Sequence, residues 1–189
     1  EGDLNYLREQ QEYMRALLRV LASQMDGDRE NLQGDQRLLD WPTSQMPDVI
    51  HAGYQALMVM AMEAGAEIGG WLGDRQMQSE CRGALRRLRR HVPDHLRNKQ
   101  AAAMLVLAGL ADPGKVCRTV IARGGAEGFS TFYGYYMLEA LAEGGLYDEA
   151  LQIISDYWGA MLDLGATTFW EDLNYAHAAG AARIDEPVP

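Results

Sequence analysis

The sequence predicts an all-α chain of antiparallel helical hairpins with one short β-hairpin inserted. Three observations predict it. Apolar residues recur at spacings of three, four and seven along most of the chain. Capping residues and glycine stops punctuate those stretches almost to the end. The connections between them are mostly two to six residues, so successive helices must turn back on one another.

Asp3 is a suitable N-cap for a first helix running to about Met25. Leu7, Met14, Leu17, Leu18 and Leu21 lie on one face of it, and Asp26-Gly27 ends it. Residues 28–45 break the helical pattern. Asn31–Gly34 and Arg37–Trp41, separated by Asp35-Gln36, fit a short β-hairpin, and Pro42 blocks further pairing. A long connection of this kind often carries function.

A long apolar helix follows from about Pro47 to Trp71. Its apolar residues cover more than one face, which predicts burial on several sides. A basic amphipathic helix comes next, from about Asp74 to Val92. Met77, Cys81, Leu85 and Leu88 form its buried stripe. Its arginines, Arg82, Arg86, Arg87, Arg89 and Arg90, are expected on a solvated outer face rather than in an anion site. Further helices are predicted over Lys99–Leu110, from Asp112-Pro113 to Gly124-Gly125, from Ser130 to Gly144-Gly145, and over Tyr147–Leu164. Ala166–Asp172 leaves helix, and a weakly patterned tail follows.

Two architectures satisfy this pattern, a helical solenoid and part of an (α/α) toroid. Gly145–Leu151 matches the core of a tetratricopeptide repeat. The match occurs once, and no 34-residue period is sustained around it.

Composition narrows the function. A length of 189 residues suits a single domain, with 48% hydrophobic and 23% charged residues. The net charge of −10 argues against nucleic-acid and anionic-membrane partners and is compatible with a neutral ligand such as a sugar. No stretch reaches the length of a membrane span. The chain opens on Glu1-Gly2-Asp3, with no initiator methionine and no signal peptide, and closes on Pro187-Val188-Pro189. Both ends read as cuts in a longer chain. Localisation is open on this evidence, with the cytoplasm favoured.

Cys81 and Cys117 form no CxxC pair and are expected in the core. His51, His91, His95 and His177 show no metal spacing, and neither a GxSxG elbow nor a phosphate loop occurs. No cofactor or metal is expected.

Gly165-Ala166-Thr167-Thr168-Phe169-Trp170-Glu171-Asp172 stands out as a site candidate. An indole face covers the C–H face of a pyranose, and a carboxylate beside apolar surface can serve as acid or base. Residue types alone leave a second reading equally open, in which Phe169 and Trp170 plug the core. Asp40-Trp41-Pro42 is the second candidate, with Trp41 either lining a pocket or anchoring its loop. Phe132, Tyr133, Tyr135 and Tyr136 form the third, with one or two of them expected at a pocket and the others in packing.

Gly165–Asp172 resembles the GATTxWE motif of bacterial α-L-rhamnosidases of the six-hairpin glycosidase class. Leu39–Pro42 is similar to the DWP-containing segment of that family. Ser130–Leu141 and Asp156–Leu162 are similar to the helices leading into its motif, in the same order. The resemblance implies a partial (α/α)6 toroid, a rhamnoside substrate and an inverting reaction. It places the general base at Glu171, with Trp41, Trp170, Asp40 and Tyr133 at the sugar.

An inverting glycosidase also needs a general acid. The family carries it in an upstream DxxxRxERxGxxGD-like motif, and residues 1–189 contain no counterpart. The expectation is therefore a single helical domain forming the carboxyl-terminal part of a larger catalytic barrel. Alone it should be inactive on rhamnosides, and it should self-associate through uncovered helix faces. The alternatives are a non-catalytic helical binding module and another hydrolase reusing the pocket around Glu171.

Overall fold

The computed structural model describes residues 2–34 and 37–178. The predicted turn at Asp35-Gln36 and the tail beyond 178 lie outside the described residues. Within them the chain is a partial helical toroid with one two-stranded antiparallel hairpin.

Helix α1 (Leu4–Ser23) starts where the Asp3 carboxylate accepts from the backbone N–H groups of Asn5 and Tyr6. Helix α2 (Pro47–Leu72) opens on proline and buries residues all round, from Val49 and Ile50 to Gly65 and Gly69. Helix α3 (Arg75–Leu88) is capped by Asp74, whose carboxylate accepts from Met77 N–H, Arg15 and Gln11. Those bonds hold the Asp74 carboxyl down at about 2. Helix α4 (Lys99–Leu107) is capped by Asn98 and buries Gln100–Val106 without interruption.

Helix α5 (Pro113–Val116) begins at the Asp112 cap and continues into a π-helical turn, Cys117–Ile121. Helices α6 (Thr131–Glu143) and α7 (Tyr147–Asp163) form the next hairpin, and the short α8 (Tyr175–Ala178) returns against α7.

Packing sorts these helices into two rows. α2 packs on α4, and α4 packs on α6, forming the inner row. α3, α5 and α7 back onto their inner partners, and α1 joins the outer row against α2 and α3. Burial follows: α4 is enclosed, whereas α1 exposes Tyr6, Tyr13 and Val20, and α7 exposes Tyr147, Leu151 and Leu162. Cys81 and Cys117 are buried, free core residues. No helix among the described residues is long and apolar enough to cross a membrane.

Two details depart from the sequence pattern. The β-hairpin pairs Met25 with Glu30 and Asp26 with Arg29, not Asn31–Gly34 with Arg37–Trp41. Gly27, at φ +57°, permits the tight two-residue connection Gly27-Asp28, so Asp26-Gly27 begins a hairpin turn as well as ending the helical run. The segment expected to pair is satisfied by side chains instead. Tyr54 Oη accepts from Leu38 N–H at 3.1 Å and donates to Leu38 C=O at 3.2 Å. Helix α3 also stops at Leu88 rather than Val92, and the Leu88 carbonyl is satisfied by His91 N–H at 3.2 Å and Gln55 Nε2 at 2.8 Å.

The arginine run lies on the outer surface as expected. Arg89 pairs with Glu63, Arg90 with Asp28, and Arg87 donates to the Gly27 carbonyl.

Helices α2 and α3 approach closely because Gly69 has no side chain. A Cβ there would sit 2.9 Å from the backbone nitrogen of Gln78. An exposed helical Gly→Ala change gains up to about 1 kcal/mol. Gly69→Ala is expected to reverse that sign, destabilising by about 1–3 kcal/mol as the helices are forced apart. A lower denaturation midpoint is the expected readout; an unchanged or raised midpoint would show that the two helices separate freely.

Candidate functional site

The two-row arrangement brings three distant segments together where the chain enters α2 and α6 and leaves α7. Residues 38–42, 130–133, 135–136 and 169–172 line a cleft of about 850 Å3. All of the sequence-derived site residues, Asp40, Trp41, Tyr133, Trp170 and Glu171, are on its walls.

Trp41 opens a single 3-10 turn, Trp41–Thr43. Asp40 caps that turn and exchanges bonds with Thr43, while Pro42 fixes the backbone between them. The indole is consequently held outward and is 63% exposed, which rules out the buried-anchor reading. Its Nε1–H donates to Glu171 Oε1 at 3.3 Å, joining residues 130 positions apart. Among the described residues no donor reaches the other Glu171 oxygen, so that oxygen is left to the cleft.

Asp40 lies below this pair and is only 8% exposed. Its Oδ1 accepts from Trp41 N–H at 2.9 Å, and its Oδ2 accepts from Ser130 Oγ at 2.5 Å and Gln100 Nε2 at 3.3 Å. Its carboxylate thus ties the Trp41 turn to α4 and to the start of α6, with its acceptors already engaged by the protein.

Tyr133 is buried on the cleft floor. Burial, with the nearby Asp40 charge, pushes its hydroxyl well above the ordinary phenol range, so it stays protonated at any physiological pH. Phe132 and Tyr135 on the same helix are exposed, and Tyr136 is half-buried. All four aromatics line the cleft, where one or two were expected.

Phe169 does not plug the core; it is 81% exposed. Trp170 is half-buried and packs against the core. The loop is anchored by Tyr157 of α7, fully buried, whose hydroxyl donates to Asp172 at 3.3 Å and accepts from Leu173 N–H at 3.1 Å. Nothing in the local sequence marks Tyr157 as the anchor, because its partners lie fifteen and sixteen residues away across the helix terminus.

Chemically the cleft offers a wall of aromatic faces, two exposed carboxylates, Glu171 held by an indole N–H and Asp172 held by the Tyr157 hydroxyl, and a rigid buried support in Asp40. No group of three His, Cys, Asp or Glu residues among the described residues is placed to hold a metal.

The fold is similar to that of a rhamnosidase. A solved structure, "rhamnosidase from Klebsiella oxytoca with rhamnose bound", matches with a TM-score of 0.69 at 22% identity. The match covers 90% of this chain and 37% of that chain, so this sequence spans well under half of that protein. At that identity the likeness shows a shared helical scaffold. No known family model matches the sequence, and no curated protein matches it.

Proposed function

We propose that this chain forms one side of the sugar-binding cleft of an α-L-rhamnosidase-like glycoside hydrolase, as a single helical domain within a larger (α/α)6 catalytic unit. The observation that carries this reading is the convergence of Trp41, Trp170 and Glu171 on one cleft from segments far apart in sequence. The rhamnose-bound structural neighbour supports a carbohydrate ligand.

Glu171 is the general base in this reading. Its free oxygen takes the proton of a water that attacks the anomeric carbon, and Trp41 Nε1–H holds the other oxygen. Trp41 and Trp170 cover the apolar face of the sugar. Tyr133, as a neutral phenol, donates to or accepts from a sugar hydroxyl, and Asp40 acts from beneath by fixing Trp41. The leaving oxygen needs a proton that no motif in residues 1–189 is suited to supply. Unactivated rhamnosides are therefore not turned over by this polypeptide alone.

Binding tests the cleft independently of turnover. L-Rhamnose is expected to change tryptophan emission saturably. Trp170→Ala is expected to weaken that binding roughly tenfold, the loss of one stacked aromatic face. Trp71→Phe, on α2 outside the cleft-lining segments, is expected to leave it unchanged. No saturable response to L-rhamnose, or equal binding by Trp170→Ala, would remove the sugar from this cleft.

A further inference from the structure

Away from the cleft, the fold brings together two histidines that sequence spacing left scattered. His51 on α2 and His91 in the segment after α3 face each other with Nε2 atoms 2.9 Å apart. Their ring centroids are 5.2 Å apart, the separation expected when two imidazoles point nitrogen to nitrogen along the line between their centres. A metal on that line would sit well inside the roughly 2.0 Å that a zinc–imidazole bond needs. The geometry holds a single hydrogen between the rings.

Which hydrogen it is follows from Glu30. Its side chain is fully buried at the base of the hairpin, and its carboxylate accepts from Arg37, from Leu32 N–H at 3.0 Å and from His51 Nδ1 at 2.6 Å. Burial alone would raise the Glu30 carboxyl, but these bonds outweigh it and hold it below the ordinary range. A carboxylate on Nδ1 makes that nitrogen the donor, so neutral His51 presents a bare Nε2. His91 then donates. The assembly is braced by Gln55, whose amide accepts from Glu30 N–H at 2.7 Å and donates to the Leu88 carbonyl at 2.8 Å and the Asp28 carbonyl at 3.0 Å.

We propose that Glu30, His51 and His91 form a proton-sensitive clamp that ties the segment after α3 to α2 near neutral pH and releases it in acid. Two neutral rings, or one neutral and one charged, keep one hydrogen between their Nε2 atoms. Two charged rings place a hydrogen on each, and the contact must open. The surrounding charges set the balance. Asp28 favours the charged form of His91, while Arg29 opposes it, and the Glu30 carboxylate keeps His51 Nδ1 as a donor. Arg37 bonds Glu30, and Arg87 and Arg90 hold the hairpin turn without touching the imidazole pair.

Burial, then the charges of Arg29 and His51, hold His91 below the ordinary imidazole value. A ring held low in the fold contributes its full stability above the unfolded value, near 6.5, and loses it as pH falls through the lower folded value. The segment released leads through Leu96 and Arg97, both at positive φ (49° and 57°), into the Asn98 cap of α4.

Backbone hydrogen exchange over residues 91–98, followed between about pH 7 and 5, tests the clamp. Protection is expected to fall roughly tenfold per pH unit once one ring is charged, the slope of one further proton. His91→Gln is the decisive variant. An amide can donate to a neutral His51 or accept from a charged one, so protection should become independent of pH. A merely structural role would shift protection equally at every pH in that variant. A wild-type segment whose protection ignores pH, or a pH-dependent fall that persists in His91→Gln, would overturn the clamp. Should His91→Gln fail to fold, nitrogen NMR of the wild-type imidazoles decides. Coupled titration of the two Nε2 signals supports the clamp, and independent titration at ordinary values rejects it.

Discussion

With Glu171 as the proposed general base, Glu171→Gln is expected to lower hydrolysis of α-L-rhamnosyl fluoride by about 10²–10⁴-fold, the usual worth of a positioned general base. The substrate is chosen for its leaving group. Fluoride departs without a proton, so the reaction does not depend on the upstream acid motif that has no counterpart in residues 1–189. In the proposed reaction Glu171 takes a proton from water, the water oxygen bonds to the anomeric carbon, and the carbon–fluorine bond breaks to release fluoride. Attack from the face opposite the leaving group gives β-L-rhamnose as the first product, visible by NMR before mutarotation. The amide introduced by Glu171→Gln would keep the bond to Trp41 Nε1 through its carbonyl oxygen but could not take the proton. Fluoride release equal in both forms, or absent from the unaltered chain while L-rhamnose still binds, would reduce the cleft to a binding site. That outcome favours the non-catalytic reading, which uses the same aromatic wall and needs no base.

Asp40→Ala is expected to be the most damaging single change at the cleft, at roughly 3–5 kcal/mol of stability. It removes the acceptor of three donors at once, leaving Ser130 Oγ and the Gln100 amide buried and short of partners. It also deletes the cap of the Trp41 turn, itself worth about 1 kcal/mol. Because that turn aims Trp41, L-rhamnose binding should be lost even below the lowered melting temperature. Asp40→Asn separates the two effects. The asparagine oxygen can still accept from Trp41 N–H, while its amide meets the Gln100 donor. An intermediate loss of stability with partial binding is expected. Full stability in Asp40→Ala would show that the buried carboxylate ties nothing together.

The helices were legible in the sequence because their causes are local. Asp3, Asp74, Asn98 and Asp112 each bond the first turn of the helix they precede, and the apolar spacing marks which face turns inward. Misplacing the hairpin shows where such reasoning ends. The residues around Asp35-Gln36 have an acceptable strand pattern, but Tyr54, sixteen residues on, takes the Leu38 backbone, and Gln55 takes Glu30. Local propensity cannot anticipate a side chain arriving from another helix.

The site divides along the same line. Trp41, Trp170 and Glu171 stood out by residue type and motif, and the resemblance to the rhamnosidase pattern tied them to one chemistry. That Trp41 bonds Glu171, that Asp40 is a buried strut with its oxygens already engaged, and that Tyr157 anchors the loop were decided by packing alone. His51 and His91 make the point most sharply, since forty residues separate two rings that share one hydrogen. The sequence by itself determined which stretches are helical, where they start, and which residue types could touch a sugar, because capping and periodicity act over a few residues. Only the tertiary structure decided which distant side chains meet, because hydrogen bonds and proton sharing depend on separations of about 3 Å that no spacing along the chain encodes.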